Sequence, residues 1–378
     1  MNFDYSEEQQ LLAASVRRFV EKQYAFEARA KIVASAEGCS STVWATLAEL
    51  GLLGLPLPGE FGGFDGGAVD LMSVMEAFGE ALVVEPYLAT VGLGAQFIAR
   101  AGSAAQKRQL LPRIAAGELK LAFAQTERES RYDLAQVVMR ARKSADGYIL
   151  DGEKLIVVHA PCADQLIVSA RTSGEVADRH GVSLFLVDAK APGLMLHAYR
   201  TIDGLRAADV AFRDVRVGGE ALIGAEGGAA ELIEDVVDYA TALICAEAVG
   251  AIKYATDATL EYLKTRKQFG VTIGSFQALQ HRMVDMVISG EQARSMASLA
   301  CAKVDAETDP IERKRVVSAA KIRVADACRH VAQESVQLHG GMGMTDEMKV
   351  SHTFRRLTMI AQQFGDADHH LERFAGLQ

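Results

Sequence analysis

The chain has 378 residues, 49% hydrophobic and 24% charged, with 49 acidic against 40 basic side chains and a net charge of −9. That length holds two or three structural units, and the acidic balance argues against a nucleic-acid partner, whose phosphates require clustered Lys and Arg. No apolar run approaches a bilayer span, the start MNFDYSEEQQLL is unlike a signal peptide, and Cys39, Cys162, Cys245, Cys301 and Cys328 are isolated, so a soluble cytoplasmic protein with reduced thiols and no membrane partner is expected.

Residues 1–118 read as a helical domain. Ser6 and Gln9 have the spacing of a capping box, and Leu11, Leu12, Ser15, Val16, Phe19 and Val20 mark an apolar helix face. A glycine-rich loop, Pro56–Gly67, interrupts the helices. Its glycines permit positive φ and close backbone approach, but they lack the GxGxxG spacing of a phosphate cradle.

Residues 119–225 change character. YILDGEKLIVV, QLIVSART, VSLFLVD and DVAFRDVRV are short β-rich runs, and DG after YIL is a hairpin signal. FAQTE (Phe123–Glu127) is a strand end, and GLRAADVAFRDVRV (Gly204–Val217) reads first as a hairpin. A compact antiparallel barrel or sandwich is expected here.

Residues 226–378 return to helix. Apolar periodicity predicts helices over Ala230–Thr265, Ser275–Ala306, Ile311–Leu338 and Val350–Phe364, lengths that suit a bundle with an oligomer interface on a spare face. TRKQFG (Thr265–Gly270) reads as a helix C-cap with two cations at the dipole's negative end. QLHGGMGMTDE places Gly340, Gly341 and Gly343 at a helix end. That exceeds the needs of one cap and points to backbone held close to a planar or phosphorylated ligand, with an ordinary interhelical loop as the alternative.

LAELGLLGLPLPGEFGG, FAQTE, DGEKLIVV, GLRAADVAFRDVRV, TRKQFG and QLHGGMGMTDE occur in an order that resembles the acyl-CoA dehydrogenase family over nearly the whole chain. Within that family the resemblance is to small subunits of pimeloyl-CoA dehydrogenase-like enzymes. The resemblance implies a mostly α protein with a central β-domain: a helical N-domain, an antiparallel β-barrel and a C-terminal four-helix bundle. It also implies FAD, an acyl-CoA substrate, a homo- or heterotetramer, and electron-transfer flavoprotein as acceptor.

Oxidation at Cα–Cβ requires a base, and its pKa should be raised by a dry pocket. In the family the base is a Glu, either just before a C-terminal glycine or at the start of the first bundle helix beside an Arg. Counted from the motifs, these positions hold Phe364, Ala240 and Thr241, none of them acidic. The Gly-Ser pair expected near the pyrophosphate matches Arg131 and Tyr132, and the Trp and Thr beside the flavin ring match Ile156 and Val158. Phe123, Gln125 and Thr126 remain for the chain's own flavin. Arg266, Phe269, Gln277, Gln337, Gly340 and Gly341 match residues that reach the ADP part of a neighbour's FAD, where an Arg fork suits pyrophosphate.

Three readings follow. The first is a base-lacking subunit of a heteromeric dehydrogenase that completes its partner's FAD site. The second is a self-sufficient homotetramer with a displaced base. Glu247 shares a helix face with Ala240 but lies about 10 Å along the axis; Asp238 falls where the resemblance implies the CoA moiety. The third is a non-redox CoA-ester or flavin-binding scaffold. His369 and His370 diverge by about 100° on a helix and cannot chelate one ion together, so no metal is expected. Asp366 and Asp368 read as helix-start residues, and Trp44 as packing.

Overall fold

The computed structural model describes residues 6–306 and 308–377, which divide into two compact units woven from separate segments. One unit takes Ile32–Gly66 and Val84–Ala240. The other takes the described residues up to Lys31, Gly67–Val83, and those from Thr241 onward. The helices are α1 (Glu7–Gln23), α2 (Phe26–Ala34), α3 (Ser41–Glu49), α4 (Ala68–Ala81), α5 (Ala95–Ala101), α6 (Ala104–Ala115), α7 (Ala229–Thr265), α8 (Gln277–Ala306), α9 (Pro310–His339), α10 (Lys349–Gln362) and α11 (Ala367–Gly376). The strands are β1 (Leu121–Ala124), β2 (Arg140–Ser144), β3 (Gly147–Val158), β4 (Gln165–Arg171), β5 (Val182–Asp188), β6 (Leu194–Arg200), β7 (Arg206–Gly218), β8 (Leu222–Ile223), β9 (Lys267–Gln268) and β10 (Val271–Thr272).

In the first unit, β1 to β8 form one eight-stranded sheet. Its order is β6-β7-β3-β2-β4-β5-β8, with β1 beside β4. Two features depart from the expected antiparallel barrel. No pairing joins β6 to β8 among the described residues, and β1 and β2 both run parallel to β4. The segment between β1 and β2 is a long crossover rather than a tight turn, so the two strands cannot return as a hairpin.

Two hairpin expectations are also corrected. Asp151–Gly152 lies inside β3, where the register against β7 shifts between Leu150 and Gly152. A side chain at Gly152 would fall 2.8 Å from Met139 Cγ, so the glycine marks a bulge. The turn from β2 to β3 lies at Ser144–Gly147 instead. Gly204–Val217 supplies one long strand, β7, whose hairpin partner β6 precedes it. Trp44 is buried, with its indole N–H donating to Gly117 O at 3.0 Å.

The second unit is helical. Ser6 and Gln9 form the expected capping box. The buried face of α1 runs through Ala13, Val16 and Phe19, whereas Leu11 is 72% exposed, because the packing of α1 on α4 selects the stripe. The long C-terminal helices lie where the periodicity placed them, and α9 packs against α8, α10 and α11. Gly270 is not a helix cap. The helix α7 stops at Thr265, and β9 pairs with β10 around Phe269 (φ 56°) and Gly270 (φ 82°), the two positive φ values of a type I′ hairpin turn. Among the described residues no helix is long and apolar enough to cross a membrane.

Candidate functional site

The C-terminal glycines open onto a cavity of about 510 Å³. Tyr262 and Arg266, one turn apart at the end of α7, line it with Gln268. Gln337, His339, Gly340 and Gly341, at the end of α9, and Arg282 of α8 line it too. Four residues expected from sequence therefore meet here: Arg266, Gln337, Gly340 and Gly341. Two do not line the cavity. Phe269 sits at the hairpin tip, 91% exposed, and Gln277 is exposed at the start of α8.

The glycines have different physical reasons. A Cβ on Gly343 would come within 2.8 Å of Val336 O, so the chain's own packing demands glycine there. A Cβ on Gly340 or Gly341 would meet nothing within 4 Å, which leaves their backbone open to a ligand. Arg282 is paired with Glu334, whereas the guanidinium of Arg266 makes no ion pair among the described residues. That leaves a cation, an open backbone and the amide of Gln337 around one cavity, a donor set that fits an anionic dinucleotide.

Tyr262 and His339 were not anticipated as cavity residues. Their rings stack with centroids 4.4 Å apart, and His339 Nδ1 donates to Ser335 O at 2.7 Å. Burial holds the His339 pKa below its ordinary value, partly opposed by the Ser335 carbonyl. The spacing of Tyr262 four residues before Arg266 was the available signal, since such residues share a helix face.

In the sheet unit, the segment after β1 is held from several sides. Lys154, fully buried, donates from Nζ to Glu127 Oε1 (2.7 Å), Ser169 Oγ (2.8 Å) and Gln125 O (3.2 Å). Glu127 also accepts the amides of Val138 and Met139, and Leu155 N–H donates to Thr126 O. Gln125 donates its amide to Leu134 O, while its buried Oε1 has no hydrogen-bond partner. An orphaned buried acceptor is costly, and it fits a ligand N–H such as a flavin ring presents. Phe123 is half-buried, with its ring 4.7 Å from that of Phe97.

Arg131 and Ile156, at positions matched to flavin contacts, have φ of 46° and 52°. Left-handed backbone at a β-branched residue is an outlier. Asp209 Oδ1 holds it at Ile156 by accepting that residue's N–H, with Tyr199 OH on the same oxygen.

None of the expected base positions carries an acid. Ala240 and Thr241 are buried in α7, and Phe364 is half-buried just beyond α10, with φ 62°. Asp238 is 1% exposed. Glu247 is also buried and is bound in two places by Arg356, from Nε at 2.6 Å and Nη2 at 2.9 Å. Asp366 caps α11 by accepting His369 N–H, and Asp368 lies in that helix's first turn.

Models of the acyl-CoA dehydrogenase N-terminal, middle and C-terminal domains match residues 6–118, 122–215 and 226–375. The probable acyl-CoA dehydrogenase YngJ of Bacillus subtilis is 29% identical, covering 99% of this chain and 98% of its own. Acyl-CoA dehydrogenase FadE12 of Mycobacterium tuberculosis is 31% identical, covering 85% of this chain and 84% of its own. The FAD complex of PigA superposes with a TM-score of 0.91 at 27% identity, covering 100% of this chain and 98% of PigA. The ChsE4–ChsE5 complex of Mycobacterium tuberculosis gives 0.90 at 26% identity, covering 100% of this chain and 98% of the matched one.

Proposed function

The chain belongs to the acyl-CoA dehydrogenase family, and from that membership we propose that it is an FAD-dependent subunit of a heteromeric enzyme that oxidises a CoA thioester at Cα–Cβ. In this reading the chain lacks its own base and completes its partner's FAD site. The observation that carries the proposal is the ion pair between Glu247 and Arg356. Glu247 is the acid that shares a face of α7 with Ala240, and Arg356 holds both of its oxygens away from proton transfer. The positions that would otherwise carry a base are Ala240 and Phe364.

Bound FAD supplies a hydride acceptor for the substrate's β-carbon. On this chain, Arg266, Gln337 and the open backbone of Gly340 and Gly341 bind the ADP part of a partner's cofactor, with Phe269 and Gln277 projecting from beside them. Phe123, Gln125 and Thr126 face the flavin ring of the chain's own half-site, and Asp238 lies toward the CoA moiety. The partner supplies the Glu that removes the α-proton. The segments 1–118, 119–225 and 226–378 act as the N-terminal, middle and C-terminal domains of a tetramer that passes electrons to an electron-transfer flavoprotein in the cytoplasm. The complex of ChsE4 with ChsE5 supports a heteromeric assembly, and the FAD-bound state of PigA supports the cofactor.

The test is purification of this chain alone and together with a second acyl-CoA dehydrogenase subunit encoded beside it. Flavin absorbance, FAD-to-chain ratio and acyl-CoA-dependent bleaching under anaerobic conditions are then measured. Bleaching only in the co-purified complex is the expected result. A yellow, fully active homotetramer of this chain alone overturns the proposal, and CoA-ester binding without bleaching in either preparation assigns a scaffold role instead.

A further inference from the structure

Lys321 is fully buried in α9, and no step of the proposed reaction uses it. Its Nζ donates to three backbone carbonyls: Ile360 O at 2.9 Å, Ala361 O at 3.1 Å and Gly365 O at 2.7 Å. The first two are orphans of a helix end. At Gln363 the chain leaves helical geometry (ψ 132°), so the amides of residues 364 and 365 no longer reach those carbonyls. Three acceptors use all three hydrogens of an ammonium group, and the negative end of the α10 dipole favours its charge. Burial pulls the lysine's pKa down, opposed in small part by Asp366, the helix cap just beyond.

The carbonyl between them is held as well. His370 of α11 donates from Nε2 to Phe364 O at 3.0 Å, and its Nδ1 accepts from Ser318 Oγ at 3.3 Å. The imidazole lies so close that a Cβ on Gly365 would fall 2.7 Å from His370 Nε2. Thus Lys321 and His370 between them hold the carbonyls of residues 360, 361, 364 and 365. Phe364 has φ 62°, a conformation that persists at a bulky residue only where its surroundings over-determine it. Ending a helix needs far less than a buried cation, and a phenylalanine has no chemistry that requires such exact placement.

We propose that Lys321, together with His370, is the positioning residue of the α10–α11 junction, holding residue 364 where a carboxylate would take a substrate's α-proton. The frame of a base is retained here although the base itself is not. This rests on the reading of Phe364 as the family's base position.

The test places the carboxylate back. The full chain carrying Phe364→Glu is incubated with a saturated acyl-CoA in D2O, and deuterium entering at Cα is followed by NMR. The proton leaves Cα to the carboxylate and a deuteron returns, so no flavin redox step is needed. Exchange at least tenfold above the native chain is expected, with most of that gain lost in Phe364→Glu/Lys321→Met and in Phe364→Glu/His370→Gln. Amide hydrogen exchange of the native sequence against Lys321→Met supplies an independent readout: faster exchange confined to residues 363–367 is expected. If the Lys321 variant does not fold, the His370 variant carries the comparison. No gain with Phe364→Glu, or an equal gain in the double variants, overturns the proposal. Flavin bleaching by the native chain alone overturns the subunit reading without touching this one.

Discussion

Arg356 on α10 grips Glu247 on α7 through two hydrogen bonds, with both side chains almost wholly out of solvent. The two residues are 109 positions apart, and their pairing turns a candidate base into a structural contact. Both oxygens of that carboxylate are taken up by the guanidinium, so the side chain is fixed as a contact between helices rather than presented to a substrate.

Glu247→Gln and Arg356→Met are expected to destabilise the chain by about 3–5 kcal/mol each, since either leaves a buried charge uncompensated. The double variant Glu247→Leu/Arg356→Met recovers most of that loss, because apolar groups of similar volume replace the pair. Urea unfolding of the three variants checks this. In the co-purified complex, a Glu247→Gln preparation that is folded and FAD-loaded yet devoid of turnover would make Glu247 the base after all.

Gly341 offers a separation of ligand binding from stability. Its Cβ direction is open and its φ is not left-handed, so Gly341→Leu is expected to change the melting temperature little while lowering FAD content in the co-purified complex. Arg266→Gln should do the same by removing a charge-assisted contact worth about 1.5–3 kcal/mol, roughly tenfold to a hundredfold in affinity. Equal FAD content in all three proteins would remove this cavity from the cofactor site.

His370 predicts acid sensitivity. Burial, and then the nearby Lys321, His369 and Arg373, lower its pKa to about 3. The folded value lies below the ordinary histidine range, so the unfolded chain takes up the proton first as pH falls. Its contribution is therefore complete above about pH 6.5 and is lost progressively toward pH 3, by at most about 1.4 kcal/mol per pH unit. His370→Gln should flatten that part of the stability profile. Urea midpoints measured at pH 7, 6 and 5 for both proteins give the comparison.

Lys154 and Glu127 form another buried ion pair, in the sheet unit. Lys154→Met frees the Gln125 carbonyl and leaves Glu127 uncompensated, so a loss of about 3–5 kcal/mol is expected. Because the same contacts fix the segment that carries Gln125 and Thr126, FAD retention should fall in whatever fraction stays folded. Thermal melts and flavin release on gel filtration distinguish the two effects.

Much of the fold was legible because it depends on local chemistry. The periodicity of α7 to α10 located four long helices to within two residues at each end, and Ser6 with Gln9 announced the start of α1. Strand pairing was less legible. Asp151–Gly152 has the composition of a tight turn, yet Met139 and the register with β7 make it a bulge within a strand. The site divides in the same way. Arg266, Gln337, Gly340 and Gly341 were marked by their motifs, whereas Tyr262 and His339 enter the cavity through a ring stack between separate helices.

The family resemblance and the absence of an acid at Phe364 and Ala240 follow from residue identity at counted positions alone. What Glu247 and Lys321 do depends on the folded chain. One is gripped by an arginine 109 residues away, and the other holds helix-end carbonyls 39 and 40 residues on. Whether a buried charge is a reagent or a fastening depends on which groups the fold brings against it, and those groups are distant in sequence.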